Sequence, residues 1–243
     1  MTKYDFVLFD ADNTLFDFDQ AEHLALGETL EGYGIPFTPE HEALYLRINR
    51  ALWDAFDRGE ISQDRLVVER FAAFLQQAGY PGRADPEEMN RAYLAALARQ
   101  GCLLPGAEEL CAALAHRCTL AIVTNGVSSA QRGRYDRSPI RHSVPHLFIS
   151  QELGFRKPQR EFFQRVFDAL GIRGLRRTVV VGDSLAADIQ GAVNAGVDSI
   201  WFNPKGCPAL AAPVPTHTVS SFGEIRNLIL DRKSTRLNSS HVF

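Results

Sequence analysis

Residues 4–10, "YDFVLFD", make a short apolar run ending in a polar turn, and the next run of this kind, "TLAIVTN", begins only at Thr119. A run that is apolar on both faces is the pattern of a strand inside a parallel sheet, where helices cover both sides. Such a strand needs a neighbour, so the long stretch between the two runs must be a folded insertion rather than a loop. That stretch has helical periodicity in segments near 19–33, 40–58, 62–79 and 86–99, separated by the turn-rich "GYGIP", "DRGEI" and "GYPGRADP". After "LPGAEEL" the chain alternates: helix 107–115, strand "TLAIVTN", helix near 128–137, strand "HLFIS", helix 159–170, strand "RTVVVGD", helix 185–195, strand "DSIWF" and a last helix from Ser221. This alternation predicts an α/β fold with a doubly wound, Rossmann-like parallel sheet. The expected domains are a core of residues 1–17 and 101–230 and an inserted four-helix domain, 18–100. The insertion is expected as a cap over the carboxyl ends of the strands, where open α/β sheets bind ligands.

Charge narrows the partners. The formal net charge is -3, without a polybasic block, which disfavours nucleic acid or an anionic membrane and leaves a small solute as the expected partner. No apolar stretch approaches the roughly 18 residues that span a bilayer. The start, "MTKYDFVLFD", lacks the pattern of a signal peptide, so a cytoplasmic location is expected. The cysteines, Cys102, Cys111, Cys118 and Cys207, have no C-x-x-C spacing, and buried reduced thiols are the expectation. The stretch "DRKSTRLNSSH", from Asp231, back-translates without a gap into a common sequencing-library adapter, so residues 231–243 read as a non-native tail without function.

Polar residues of complementary chemistry stand at four points of the α/β pattern. Asp10 and Asp12 follow the first strand, Thr124 and Asn125 end "LAIVTN", Lys157 sits in "GFRKP", and Asp183 and Asp188 lie in "GDSLAAD". In a doubly wound sheet such positions converge on one crevice. Several carboxylates there need a compensating cation, and an all-oxygen ligand set favours Mg²⁺, with Mn²⁺ as a substitute, over zinc or copper. A lysine and a threonine beside the cation describe a site for a phosphoryl group. Singly, each has a plainer reading: Thr124-Asn125-Gly126 as a strand-to-helix turn, Lys157 as a surface lysine, Asp183 as a helix N-cap. Together the plainer readings require coincidence at four matching places.

"DADNTL", "TNG", "GFRKP" and "GDSLAAD" resemble, in order, the four motifs of the haloacid dehalogenase-like hydrolases, phosphatase branch. Within that superfamily, "FDADNTLFDFD" and "NRALWDAFDRGEI" look like the pyrimidine 5′-nucleotidase group, whose four-helix cap follows the first motif. The resemblance implies that Asp10 is the nucleophile and forms an aspartyl-phosphate, and that Asp12 serves as acid and then base. It implies that Thr124 and the Asn125 backbone N–H bind phosphoryl oxygens and that Lys157 neutralises charge. Asp10, Asp183 and the main-chain carbonyl of Asp12 would hold Mg²⁺, with Asp188 supporting from behind. The implied function is hydrolysis of nucleoside 5′-monophosphates, pyrimidine ones first. The alternatives are a phosphatase of sugar phosphates or phosphoglycolate, or a catalytically silent nucleotide-binding protein. A dehalogenase is disfavoured, since that chemistry has no use for the acid role of Asp12.

Further features read more plainly. Trp53 and Phe56, at helical spacing, are either core or a platform for a substrate base. His142 and His146 have metal-pair spacing, but Pro145 argues against the helix that would align them. Arg132, Arg134, Arg137 and Arg141 are expected on a solvated helix face. Asp19 with Glu22 resembles a capping box opening the first helix of the insertion, and Asp17 is placed in the hinge loop.

Overall fold

The computed structural model describes residues 2–209 and 211–230, so the adapter-like tail lies outside the described residues. The chain groups into two compact units. One comprises the residues up to Asp17, Cys102–Ser128 and those from Ser138 on, and the other Phe18–Gly101 and Ser129–Arg137.

The first unit is an α/β layer built on six parallel strands in the order β3-β2-β1-β4-β5-β6. They are β1 (Phe6–Phe9), β2 (Thr119–Thr124), β3 (His146–Ile149), β4 (Thr178–Gly182), β5 (Asp198–Phe202) and β6 (His217–Val219). The central strand β1 pairs with β2 on one side (Phe9↔Ile122) and β4 on the other (Phe9↔Val181). The order reverses there, and the carboxyl ends of these three strands stand side by side. Val7, Leu8 and Phe9 are fully buried, as a strand covered on both faces requires. One face packs on Phe162, Phe163, Val166 and Phe167 of the helix Arg160–Leu170 and on Ala192 of the helix Gln190–Ala195. The three-residue strand β6 and a short helix at Ser150–Leu153 were not expected, because both are too short to show a period. The helix expected over 185–195 opens as a π-helical turn, Leu185–Ile189, capped by Ser184 rather than by Asp183.

The second unit holds α1 (Phe18–Gly32), α2 (Pro39–Asp57), α3 (Gln63–Gln77) and α4 (Pro86–Leu97). Three start as their sequences dictate. The side chains of Thr38, Ser62 and Asp85 accept from backbone N–H groups of the first turn, and proline occupies the first helical position of α2 and α4. The core is Leu26, Leu30, Tyr45, Phe71, Phe74, Met89 and Tyr93 with their neighbours. Residues 129–137, expected with the α/β core, group with these helices. Gly133 is the reason: a Cβ there would fall 2.6 Å from Cβ of Ala98, so only glycine permits this approach.

Three expectations are corrected here. Arg134 is wholly buried, its Nε donating to the Gln100 carbonyl at 3.2 Å and its guanidinium 5.5 Å from the Phe18 ring, while Arg132, Arg137 and Arg141 are exposed. The Asp19–Glu22 capping box does not form, because α1 begins at Phe18 and Glu22 turns inward. Its carboxylate accepts from Asn49 Nδ2 at 2.8 Å and from the Tyr93 hydroxyl at 3.4 Å. Of the four thiols only Cys111 and Cys118 are buried; Cys102 and Cys207 are exposed. Asp17 does lie where the chain leaves the first unit, its N–H donating to the Cys102 carbonyl at 3.1 Å, where the returning strand of chain passes.

Candidate active site

Three adjacent strands end on the residues that follow them. The chain leaves β1 at Asp10, β2 ends on Thr124, and β4 passes into Asp183. Lys157 arrives from the loop before the helix Arg160–Leu170, with its side chain 2% exposed. Its Nζ donates to Asp10 Oδ1 at 2.6 Å, to Asp188 Oδ1 at 2.6 Å and to the Val123 carbonyl at 2.9 Å, so all three ammonium protons are directed. Carboxylate oxygens of Asp10, Asp183 and Asp188 lie within 4.8 Å of one another.

The supports are as specific as the contacts. Asn125 clamps the backbone of Lys157, its Nδ2 donating to the Lys157 carbonyl and its Oδ1 accepting the Lys157 N–H, both at 2.9 Å. Thr124 is 1% exposed and its Oγ1 accepts the Gly126 N–H at 3.1 Å. Asp188 Oδ2 accepts the Ser184 N–H at 3.1 Å, and the Asp183 carbonyl accepts the Trp201 indole N–H at 2.8 Å. Gly182 was not singled out from the sequence, yet a Cβ there would fall 2.2 Å from Asp188. The glycine before "DS" is the signal that could have found it. Asp188, expected behind the site, touches Lys157 as directly as Asp10 does.

Charge in this cluster is unbalanced. Burial pushes the Asp10 carboxyl well above its ordinary value; Lys157 opposes the shift, and Asp188, Asp183 and Asp12 reinforce it. Asp183 is raised to about 7 by burial and the nearby Asp188. Lys157 is held protonated, since its two carboxylate partners outweigh the burial that disfavours its charge. Three carboxyls meet one ammonium, so ionising all of them would leave two negative charges unmatched among all-oxygen donors. A hard divalent cation fits that excess and that donor set. Asp12, partly exposed, stands close enough to Asp10 and Asp183 to add to their repulsion.

The remaining sequence candidates are not among the residues of this cluster. Trp53 belongs to α2 of the helical unit, half-buried and edge-to-face with Phe56 at 5.5 Å. His142 closes a short 3₁₀ turn and His146 opens β3, so no helix aligns them.

A parallel sheet whose switch point gathers three carboxyls around a buried lysine defines an α/β protein with an acidic centre that suits a divalent cation. The haloacid dehalogenase-like hydrolase family matches residues 4–196, and the chain belongs to that family. It is 37% identical to the HAD-hydrolase YfnB of Bacillus subtilis over 94% of this chain and 97% of that protein. The crystal structure of YfnB bound to magnesium superposes with a TM-score of 0.88 over 93% of this chain and 98% of that one. The pyrimidine 5′-nucleotidases PynA of Streptococcus pneumoniae and YjjG of Escherichia coli are 35% and 33% identical, covering 91% and 93% of this chain and 93% and 98% of theirs.

Proposed function

We propose that the protein is a Mg²⁺-dependent phosphomonoesterase that removes the 5′-phosphate from nucleoside monophosphates, pyrimidine ones first. The observation that carries this reading is the clamp of Lys157 between Asp10 and Asp188, with Asp183 adjoining, three carboxyls to one ammonium. The names of two relatives, both pyrimidine 5′-nucleotidases, support the substrate class.

In this reading Asp10 and Asp183, with the main-chain carbonyl of Asp12, would hold Mg²⁺, which would supply positive charge against the phosphate oxygens. An Asp10 carboxylate oxygen attacks phosphorus, and the bond from phosphorus to the ester oxygen breaks. Asp12 gives its proton to that departing alkoxide, then takes one from the water that attacks the aspartyl-phosphate. The second attack breaks the Asp10–phosphorus bond and releases inorganic phosphate. Thr124 and the Asn125 N–H hydrogen-bond phosphoryl oxygens, while Lys157 keeps Asp10 oriented and neutralises shared charge. Asp188 holds Lys157.

The test is phosphate release by the purified protein across nucleoside 5′-monophosphates, sugar phosphates and phosphoglycolate, ranked by kcat/KM. Pyrimidine nucleotides at the top support the reading. A sugar phosphate at the top refutes the substrate class, and no release from any ester with Mg²⁺ present refutes the enzyme.

A further inference from the structure

Asp183 stands between two elements and belongs to neither. β4 ends at Gly182, and Ser184 caps the π-helical turn Leu185–Ile189. The register of β4 with β5 ends where Gly182 lies opposite Trp201, so Asp183 is the first residue past the ladder. A side chain meets it there. Trp201, 4% exposed, donates its indole N–H to the Asp183 carbonyl at 2.8 Å, the kind of acceptor that a buried indole requires.

The opposite edge of the same peptide unit carries the N–H of Ser184, which donates to Asp188 Oδ2 at 3.1 Å. Because a peptide unit is planar, with its oxygen and hydrogen on opposite edges, two such bonds fix its rotation. The hold at the hydrogen runs on into the site: Asp188 Oδ1 accepts from Lys157 Nζ, which also donates to Asp10 Oδ1, both at 2.6 Å. Gly182 keeps this hold in place, since a Cβ there would fall 2.2 Å from the Asp188 carboxyl. The hold at the oxygen is of another kind. An indole N–H is a single neutral donor, and its partner here is the Asp183 carbonyl.

We propose that Trp201 is a positioning residue for the metal site: by holding the Asp183–Ser184 peptide it fixes the backbone from which the Asp183 carboxyl reaches the cation. The inference rests on the reading of Asp183 as a Mg²⁺ ligand. It deepens that reading by assigning part of the metal affinity to a residue of β5 that contributes no ligand atom. Partners that orient metal ligands without touching the ion are worth about tenfold to a hundredfold in affinity. A packing role for Trp201 depends on the shape of its rings, whereas the positioning role depends on its N–H. The two separate when the shape is kept and the N–H is removed.

The chain has two tryptophans, so a Trp53→Phe chain leaves Trp201 as the only one. Expressed in a tryptophan auxotroph, that chain takes up benzothienylalanine at position 201, which keeps the fused rings and carries sulfur in place of the N–H. Mg²⁺ alone is titrated into the metal-stripped proteins and its Kd is measured by calorimetry, with no substrate present. The Kd rises about tenfold or more in the isostere relative to the Trp53→Phe parent, and at least as far in Trp201→Phe made on the same background. An isostere that binds Mg²⁺ as its parent does, while Trp201→Phe binds less tightly, assigns the effect to packing and overturns the proposal. In turnover, the Mg²⁺ concentration for half-maximal phosphate release rises in step with Kd, and kcat at saturating Mg²⁺ stays near the parent's. A lower kcat at saturation with an unchanged half-saturation point overturns the proposal as well. A parent that binds no Mg²⁺ refutes the metal reading and the proposal with it, whereas equal Kd in parent and isostere refutes the proposal alone.

Discussion

Lys157 of the α/β unit and Arg70 of the helical unit are both buried cations, and the two are satisfied differently. Lys157 of the α/β unit is met by two carboxylates at 2.6 Å, with a third close by. Arg70 of the helical unit, 2% exposed, is met by neutral amides: Asn90 Oδ1 at 2.7 Å and Asn49 Oδ1 at 3.4 Å. The Tyr93 ring lies 4.5 Å from its guanidinium, and both Tyr93 and Asn49 link it to Glu22. The helical cluster is close to neutral and closed on itself, the pattern of a polar network that fixes how helices meet. The α/β cluster has more carboxyls than cations, so its carboxyls are held above their ordinary values and full ionisation costs stability unless something outside the chain supplies positive charge. The difference separates a structural network from a site.

The contrast can be broken most sharply at Asp10. Asp10→Asn lowers phosphate release by a factor on the order of 10⁴ or more, since the nucleophile is gone while the shape remains. Its melting temperature holds, because burial and like charges already disfavour ionised Asp10. Turnover near wild type would remove Asp10 from the chemistry. Lys157→Met strands two buried carboxylates and costs about 3–5 kcal/mol in urea unfolding. Arg70→Met removes a cation whose hydrogen-bond partners are amides and costs less, about 1–3 kcal/mol. Equal losses in the two variants would erase the distinction between the clusters.

A smaller effect lies in pH. Burial pushes the Glu22 carboxyl up to about 7, against the pull of Arg70, from an ordinary value of 4.5. The folded chain therefore holds this proton more tightly than the unfolded chain does. The stability it contributes is complete below about 4.5 and is lost as pH rises through about 7, by up to about 3 kcal/mol. Glu22→Gln should flatten that window in urea titrations between pH 4.5 and 8. A wild-type profile already flat there would mean that Glu22 stays ionised beside Arg70.

The two units were also unequally legible. Alternating strands and helices placed the sheet, and the acidic and basic residues at its strand ends pointed to one crevice, because period and strand-end position are local signals. What sequence did not show depends on who meets whom in space. Glu22 looked like a cap residue and is instead the buried partner of Asn49 and Tyr93. Arg134 looked solvated and is buried, since the glycine one position before it lets its helix close on Ala98. Asn125 offered a backbone N–H to reasoning from motifs, whereas its side chain also fixes the Lys157 backbone. Gly182 explains itself only once Asp188 is seen against it.

The central claim is that the surplus of carboxyls at Asp10, Asp183 and Asp188 is there for a divalent cation that serves phosphoryl transfer. The direct measurement is phosphate release from uridine 5′-monophosphate as Mg²⁺ is titrated into metal-stripped protein, with Asp10→Asn alongside. The account expects release that rises from background to saturation with Mg²⁺, vanishes with a chelator and never appears in the variant. Release at full rate in the presence of chelator, or equal release by the variant, would contradict it.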